Sequence, residues 1–93
     1  MPAKLSPAEV KEAGLGHWTV EGEKLHRELR FADFPRAFGF MASVATIAQA
    51  MDHHPEWFNV YSTVKIWLTT HDAGGITAND IVLARKIDEL YGR

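Results

Sequence analysis

The chain has 93 residues, 46% hydrophobic and 24% charged, with a formal net charge of -2 and no cysteine. These totals predict one globular domain over residues 1–93, and they exclude disulfides and every thiolate metal site. The scattered charges exclude the basic patch of a nucleic-acid-binding protein. Since no apolar run approaches the ~18 residues of a membrane span or forms a signal-peptide core, we expect a cytoplasmic protein that does not bind membranes.

The first predicted elements are a short helix and a β-hairpin. Ser6-Pro7-Ala8-Glu9 combines an N-cap, a proline in the first turn and a glutamate for a capping box, and Gly14 ends the helix. From His17 to Phe31 apolar and polar residues alternate around the turn-like Glu21-Gly22-Glu23-Lys24, which predicts two antiparallel strands. His26 falls on the polar side of this alternation and is predicted to be a surface residue.

The longest predicted element is a helix that starts after Asp33 and ends by His54. Asp33 is placed as the N-cap, and Pro35 is tolerated in the first turn. Pro55 ends the helix because a proline disfavours the helical conformation of the residue before it. Apolar residues recur at steps of three and four, and we interpret them as the central packing stripe: Phe34, Ala37, Phe38, Met41, Val44, Ala45, Ala48 and Met51.

The second half of the chain predicts another hairpin and a last helix. The segment from Trp57 to His71 is too long for one strand, and a turn near Ser62-Thr63 divides it. Phe58 and Val60 share a face of the first strand, while a face of the second carries Val64, Ile66 and Leu68. Thr77-Ala78-Asn79-Asp80 starts a helix with a capping box that runs to Gly92. The order α-β-β-α-β-β-α predicts an α+β domain, with a four-stranded antiparallel sheet and three helices packed on one face.

Three histidines are the candidates for chemistry. His53 and His54 lie at a helix-to-strand corner, and the predicted hairpin brings His71 beside them. Imidazole exchanges protons near neutral pH, so the cluster suits catalysis with one acid and one base. Two alternatives stay open. In the first, His53 caps the helix C-terminus while His54 packs under Pro55 and Trp57. In the second, the three rings bind zinc, although the sequence lacks the helical His-x-x-x-His pair that would support such a site.

Asp80 and Trp57 each have two interpretations. Asp80 stands at the third helical position after Thr77, where it completes the capping box whatever else it does. The Trp57 ring either stacks on a flat heterocycle or closes the core behind the histidines.

The region of these histidines resembles a known family. Asp52-His53-His54-Pro55-Glu56-Trp57-Phe58-Asn59-Val60-Tyr61, followed by Leu68-Thr69-Thr70-His71, closely resembles the signature of pterin-4a-carbinolamine dehydratases. The resemblance extends upstream through Phe31-Ala32-Asp33-Phe34 and Arg36-Ala37-Phe38-Gly39-Phe40-Met41, and downstream to Asp80-Ile81. It covers residues 6–91, and the combination of His-His-Pro-Glu-Trp with the trailing Thr-His is specific.

This resemblance implies a hydro-lyase that eliminates water from 4a-hydroxytetrahydrobiopterin, the pterin-4a-carbinolamine, to give quinonoid dihydropterin. It implies no metal and no organic cofactor. His53, His54 and His71 would be the catalytic histidines. We assign direct proton transfer to His53 and His71, and orientation and stabilisation of the leaving hydroxyl to His54.

The resemblance also implies a set of substrate-binding residues: Asp52, Trp57, Thr69, Thr70, Gln49 and Asp80. We expect main-chain groups of Thr69 and Thr70 to bond the pteridine edge, and Asp80 to orient the ring of His71. Gln49 is a departure, since well-known animal members carry a glutamate one helical turn before the histidine pair. The missing carboxylate puts an essential acid at this position in doubt, and we expect Gln49 to bond the pterin instead.

The expected partners also follow from the resemblance. They are the pterin substrate, further copies of the chain in a homodimer or homotetramer, and a functional link to an aromatic amino acid hydroxylase through tetrahydrobiopterin recycling. Animal members of the family also serve as dimerisation partners of a homeodomain transcription factor. The alternative function is therefore a dimerisation or coactivator-type binding module without catalysis.

Overall fold

The computed structural model describes residues 2–92 and confirms the predicted fold class and element order. The spatial order of the antiparallel strands is β1-β2-β4-β3. None of the helices in this range is long and apolar enough to cross a membrane. The elements are α1 Pro7–Glu12, β1 Thr19–Glu21, β2 Lys24–Arg30, α2 Phe34–Met51, β3 Glu56–Val60, β4 Thr63–Leu68, a 3-10 turn His71–Ala73, and α3 Ala78–Tyr91.

Side-chain caps start all three helices at the predicted positions. Ser6 and Glu9 form a reciprocal capping box at α1, and Thr77 and Asp80 form another at α3. At α2 the Asp33 carboxylate accepts a hydrogen bond from the Arg36 main-chain N–H at 2.9 Å. Each cap satisfies N–H groups that the first helical turn leaves without a partner, which is why the starts are readable from a few adjacent residues.

The core lies between one face of the sheet and the helices. Alternate residues of the two central strands point toward α2 and α3, because successive side chains of a strand point to opposite faces. The buried residues are Leu25 and Leu29 of β2, Val64, Ile66 and Leu68 of β4, Ala37, Val44 and Ala48 of α2, and Leu83, Ala84 and Ile87 of α3.

The predicted packing stripe of α2 is wrong on one flank. Phe34 and Phe38 are 45% and 56% exposed, and Ala45 is exposed too. At about 100° per residue, these three side chains lie ~80–120° around the helix from the fully buried Val44, beyond the strip that the sheet and α3 cover. The opposite flank is packed against the core instead, through Phe40 and Ile47.

The second hairpin departs from the prediction in its turn and in one of its faces. The turn falls at Tyr61-Ser62, with Tyr61 at φ 50°, one residue before the predicted position. Phe58 and Val60 share a face as predicted, but this face points away from the helices, and both residues are more than half exposed. The register explains this, because Phe58 pairs with Lys65 and not with a buried residue of β4.

Candidate active site

The end of α2 aims His53 at the start of α3. Asp52 adopts the left-handed conformation at φ 51°, and the His53 main-chain N–H bonds the Ala48 carbonyl at 3.0 Å. The chain turns back, and His53 Nε2 comes to 2.5 Å from Asp80 Oδ1. The His53 side chain is 10% exposed and the Asp80 side chain is fully buried. His53 is thus held by a carboxylate on another helix, 27 residues along the chain.

Asp80 combines the capping role with this contact. Its Oδ2 accepts from the Thr77 main-chain N–H at 2.8 Å and from the Thr70 hydroxyl at 2.9 Å, while Oδ1 faces His53. The prediction that Asp80 orients His71 is wrong, since the carboxylate is shared between His53 and the two threonines. The sequence pattern could not identify His53 as the partner of Asp80, because an aspartate in a capping box does not indicate a contact with a distant residue.

His54 and Gln49 form the second contact of the site. His54 Nε2 lies 2.9 Å from Gln49 Oε1, and both residues are exposed. Gln49 is in the last turn of α2, so the chain reversal after Met51 brings the two side chains together. The amide of Gln49 thereby gives His54 a neutral acceptor in the place where the resemblance led us to expect a carboxylate. Its contact with a pterin stays a prediction.

His71 has a carboxylate partner that the sequence analysis did not single out. Its Nε2 lies 3.1 Å from Glu56 Oε2, and the other oxygen of that carboxylate, Oε1, accepts from Lys24 Nζ at 2.6 Å. Glu56 follows Pro55 in the resembling segment, but the alternation of β3 indicated only an outward-facing side chain. The hydrogen bond from Lys24 is the largest cause that lowers the pKa of Glu56; burial opposes it, and the Lys24 charge and the contact with His71 lower the pKa further.

Replacing Lys24 by methionine is expected to raise the pKa of Glu56 toward its ordinary value, because Lys24 is the largest cause of the lowering. A carbon-13 NMR titration of the Glu56 carboxyl measures this. Since folding lowers this pKa, the stabilisation exists above the unfolded-state pKa and is lost as pH falls through the folded-state pKa. Lys86→Met on α3 is the control, and a Glu56 pKa that Lys24→Met leaves unmoved contradicts the assignment.

All three candidate histidines share one hydrogen-bond arrangement. In each of His53, His54 and His71, Nε2 faces a carboxylate or amide oxygen. These oxygens only accept, so in the neutral ring Nε2 carries the proton and Nδ1 carries the lone pair. Among residues 2–92, no buried side-chain nitrogen or oxygen lacks a partner. Since the hydrogen bonds of His53 involve Nε2 only, its Nδ1 reaches solvent, where it can act as a base.

His26 has the opposite arrangement. Its Nδ1 lies 2.9 Å from the Ile66 carbonyl, and its ring stacks on Trp67 with centroids 4.5 Å apart. It lies on the sheet face away from the helices, as predicted, but it is partly covered by this stacking. Nδ1, which makes no hydrogen bond to the described residues in the three candidate histidines, contacts a main-chain carbonyl in His26 and holds that ring against the sheet.

Thr69, Thr70, Trp57 and Asp52 surround the histidines in sequence, with different roles in the fold. The Thr69 hydroxyl donates to the Glu23 carbonyl at 2.8 Å. The Thr70 main-chain N–H donates to Gly75, and its carbonyl accepts from the 3-10 turn. The fold therefore already uses the main-chain groups of Thr70, and their contact with the pteridine edge stays a prediction. Trp57 packs partly buried against the core, which favours its structural interpretation, and Asp52 is exposed.

The geometry also bears on the zinc alternative. Within the described range, no three His, Asp or Glu side chains are grouped as metal ligands. The Nε2 atoms of the three histidines face three different acceptors. That the histidines bind no metal stays a prediction.

A cavity in the described part of the chain lies away from the candidate residues. It has a volume of about 530 Å³ and lies between α1 and the β1–β2 hairpin, lined among others by Val10, Leu15, Trp18 and Leu25. None of the candidate residues lines it. The size of a cavity does not show which reaction it supports, so the candidate site is defined by the hydrogen bonds and accessible ring nitrogens of the histidines. In the single chain the His71 side chain is 79% exposed.

Fold and site together define an α+β protein in which three histidines each contact a side-chain oxygen. Residues 3–90 match the family model described as "Pterin 4 alpha carbinolamine dehydratase". Two relatives are each named "Putative pterin-4-alpha-carbinolamine dehydratase". The one from Solibacter usitatus is 59% identical, covering 97% of both chains, and the one from Burkholderia cenocepacia (strain HI2424) is 64% identical, covering 91% of this chain and 87% of the relative. The chain belongs to the pterin 4 alpha carbinolamine dehydratase family.

Solved structures agree with this fold. A transcriptional coactivator/pterin dehydratase from Brucella melitensis superposes with a TM-score of 0.91 at 45% identity, covering 96% of this chain and 99% of that one. A pterin dehydratase-like protein described as a RuBisCO assembly factor in the alpha-carboxysome has a TM-score of 0.66 at 18% identity, covering 81% and 87%. The second likeness concerns the fold alone.

Proposed function

We propose that the protein is a dehydratase that converts a 4a-hydroxytetrahydropterin into quinonoid dihydropterin and water. The observation that carries the proposal is the buried His53–Asp80 pair, which leaves His53 Nδ1 as an accessible base in a chain of this family. The biological setting we propose is tetrahydrobiopterin recycling in the cytoplasm after aromatic amino acid hydroxylation.

The reaction needs two proton movements. The bond between C4a and its hydroxyl oxygen breaks as that oxygen receives a proton and leaves as water, while a ring nitrogen loses a proton and its electron pair forms the new C=N bond. A positioned acid or base contributes about 10²–10⁴ in rate. In our assignment neutral His53 takes the proton of the ring nitrogen on Nδ1, protonated His71 gives its Nδ1 proton to the leaving hydroxyl, and His54 orients that hydroxyl. The remaining pterin contacts would come from Asp52, Trp57, Thr69 and Gln49.

The chain's own residues prepare this chemistry before substrate binds. Asp80 fixes the His53 proton on Nε2, so no rearrangement is needed for Nδ1 to accept a proton from the substrate. His71, on the exposed side, can exchange its proton directly with water between turnovers. One held base and one solvent-connected group are what an elimination with no net proton uptake requires.

The double variant His53→Ala/His71→Ala is expected to lower turnover at least 100-fold, because it removes both proton-transfer groups. The measurement is stopped-flow absorbance of carbinolamine decay at pH 7, with the substrate generated in situ by a hydroxylase. His17→Ala, which changes an exposed histidine outside the site, is the matched control and should equal wild type. A wild-type protein that fails to accelerate the decay above the uncatalysed rate refutes the dehydratase function.

A binding module without catalysis is the second candidate, and one observation favours it. Phe34 and Phe38 form an exposed, tilted aromatic pair on α2, with centroids 5.9 Å apart. Such a surface suits contact with another copy, in a homodimer or homotetramer, or with a different protein. One solved neighbour is described as a transcriptional coactivator/pterin dehydratase. Binding that survives His53→Ala but is lost in Phe38→Ser would support this candidate.

A further inference from the structure

Glu56 contacts Lys24 and His71 through separate carboxylate oxygens. Lys24 Nζ donates to Oε1 at 2.6 Å, and His71 Nε2 lies 3.1 Å from Oε2. Lys24 begins β2 and Glu56 begins β3, and β4 lies between these strands. The Lys24–Glu56 bond thus crosses over β4 on the sheet face away from the helices. With one partner on each oxygen, the carboxylate has a defined orientation.

The orientation of the exposed His71 ring rests on its hydrogen bond to Glu56. The His53 ring is buried in a network with Asp80, whereas the His71 side chain is 79% exposed and its hydrogen bond is to Glu56. An exposed side chain in a 3-10 turn samples several rotamers unless a partner selects one. Glu56 supplies that selection, and it also decides which ring nitrogen carries the proton.

We propose that Glu56 and Lys24 are positioning residues for His71. This inference rests on the proposed function, in which His71 moves one of the two protons. Glu56 accepts from Nε2–H, so Nδ1 is left for the substrate, and Lys24 holds Glu56 in the orientation that does this. The site then contains two histidine–carboxylate pairs of the same polarity, a buried one with Asp80 and an exposed one with Glu56.

Lys24 makes the substitution Glu56→Gln informative. An ammonium group only donates, so the glutamine carbonyl must turn toward Lys24, and its NH₂ group then faces His71. Two donors cannot face each other, so N–H at Nε2 of His71 is disfavoured. The neutral ring then carries its proton on Nδ1, and the protonated ring that donates from Nδ1 to the substrate is lost. In Lys24→Met/Glu56→Gln nothing holds the carbonyl away from His71, so the amide can rotate and restore the Nε2–H form. The double variant should therefore be better than the single one.

The experiment measures kcat, KM and the His71 nitrogen-15 shifts of wild type, Glu56→Gln and the double variant. We expect Glu56→Gln to lower kcat about tenfold with KM within about twofold, and to move the His71 proton to Nδ1. The double variant should recover to within about threefold of wild type, with the proton back on Nε2. Glu28→Gln, which removes the exposed pair with Arg30 on the same strand, is the control and should change neither reading.

The outcomes separate this inference from the proposed function. If wild type does not accelerate carbinolamine decay, the proposed function fails, while the nitrogen-15 shifts still report whether Glu56 and Lys24 set the His71 tautomer. If wild type is active but Glu56→Gln keeps kcat within twofold, the positioning role is overturned. A double variant that is no better than Glu56→Gln overturns the role of Lys24. The pair is exposed, so these substitutions cost the fold little.

Discussion

Asp80→Asn is expected to lower kcat about 100-fold or more and to leave the protein folded. The Thr77 main-chain N–H and the Thr70 hydroxyl both donate to Asp80 Oδ2, so the asparagine carbonyl must take that place. Its NH₂ group then occupies the position of Oδ1 and faces His53 Nε2. A donor there forces Nε2 to accept, the proton moves to Nδ1, and the base that faces solvent is lost.

This prediction is tested by single-turnover decay of the carbinolamine, with the His53 tautomer read from nitrogen-15 shifts. Because the amide still bonds the α3 N-terminus, we expect a stability loss of only about 1–3 kcal/mol, measured by urea unfolding. Asp72→Asn, at an exposed aspartate in the neighbouring turn, is the control. An Asp80→Asn enzyme with wild-type turnover, or with its His53 proton still on Nε2, contradicts the assigned role of the pair.

Local signals explain what the sequence predicted well. Ser6, Asp33 and Thr77 cap helices through side-chain bonds to N–H groups two or three residues ahead, so a short stretch contains both partners. Alternation placed Leu25, Leu29 and the buried face of β4 correctly, because the period of two is a property of each strand. The order of the elements and the fold class follow from these helix caps and strand patterns, together with the short loops that connect successive elements.

Apart from the one-residue shift of the turn at Tyr61-Ser62, the misses concern partners far apart in the sequence. Whether Phe38 is buried depends on the width of the strip of α2 that the sheet and α3 cover. The helical period of 3.6 residues gives the direction of each side chain but not this width. That Asp80 meets His53 and Glu56 meets His71 depends on how the chain turns after α2 and after β4. The three histidines could be selected as candidates from their residue type, but their tautomers could not, because a tautomer is set by the acceptor across the fold.

The largest effect on stability alone is expected at Asp88, where Asp88→Ala should lower the free energy of unfolding by about 2–4 kcal/mol. Asp88 accepts from the indole N–H of the buried Trp18 at 2.9 Å and from the guanidinium of Arg27, which is 8% exposed. In Asp88→Ala the indole N–H of Trp18 and the guanidinium of Arg27 both lose the carboxylate that accepts from them, at positions where both side chains are buried. Arg27 keeps its contact with the Tyr91 ring at 5.1 Å, so the loss should fall short of the full cost of an isolated buried charge.

Urea unfolding followed by tryptophan fluorescence measures this loss, which is a large share of the ~5–15 kcal/mol typical of a domain. Asp88→Asn should cost less than Asp88→Ala, since its carbonyl can still accept from Trp18. Glu89→Ala, at the exposed neighbouring position, should change stability by less than about 0.5 kcal/mol. If Asp88→Ala costs no more than Glu89→Ala, the Trp18–Asp88–Arg27 group adds nothing to stability. Carbinolamine turnover per folded molecule should be unchanged in Asp88→Ala, because the hydrogen bonds of the His53, His54 and His71 rings are to Asp80, Gln49 and Glu56 and not to Asp88.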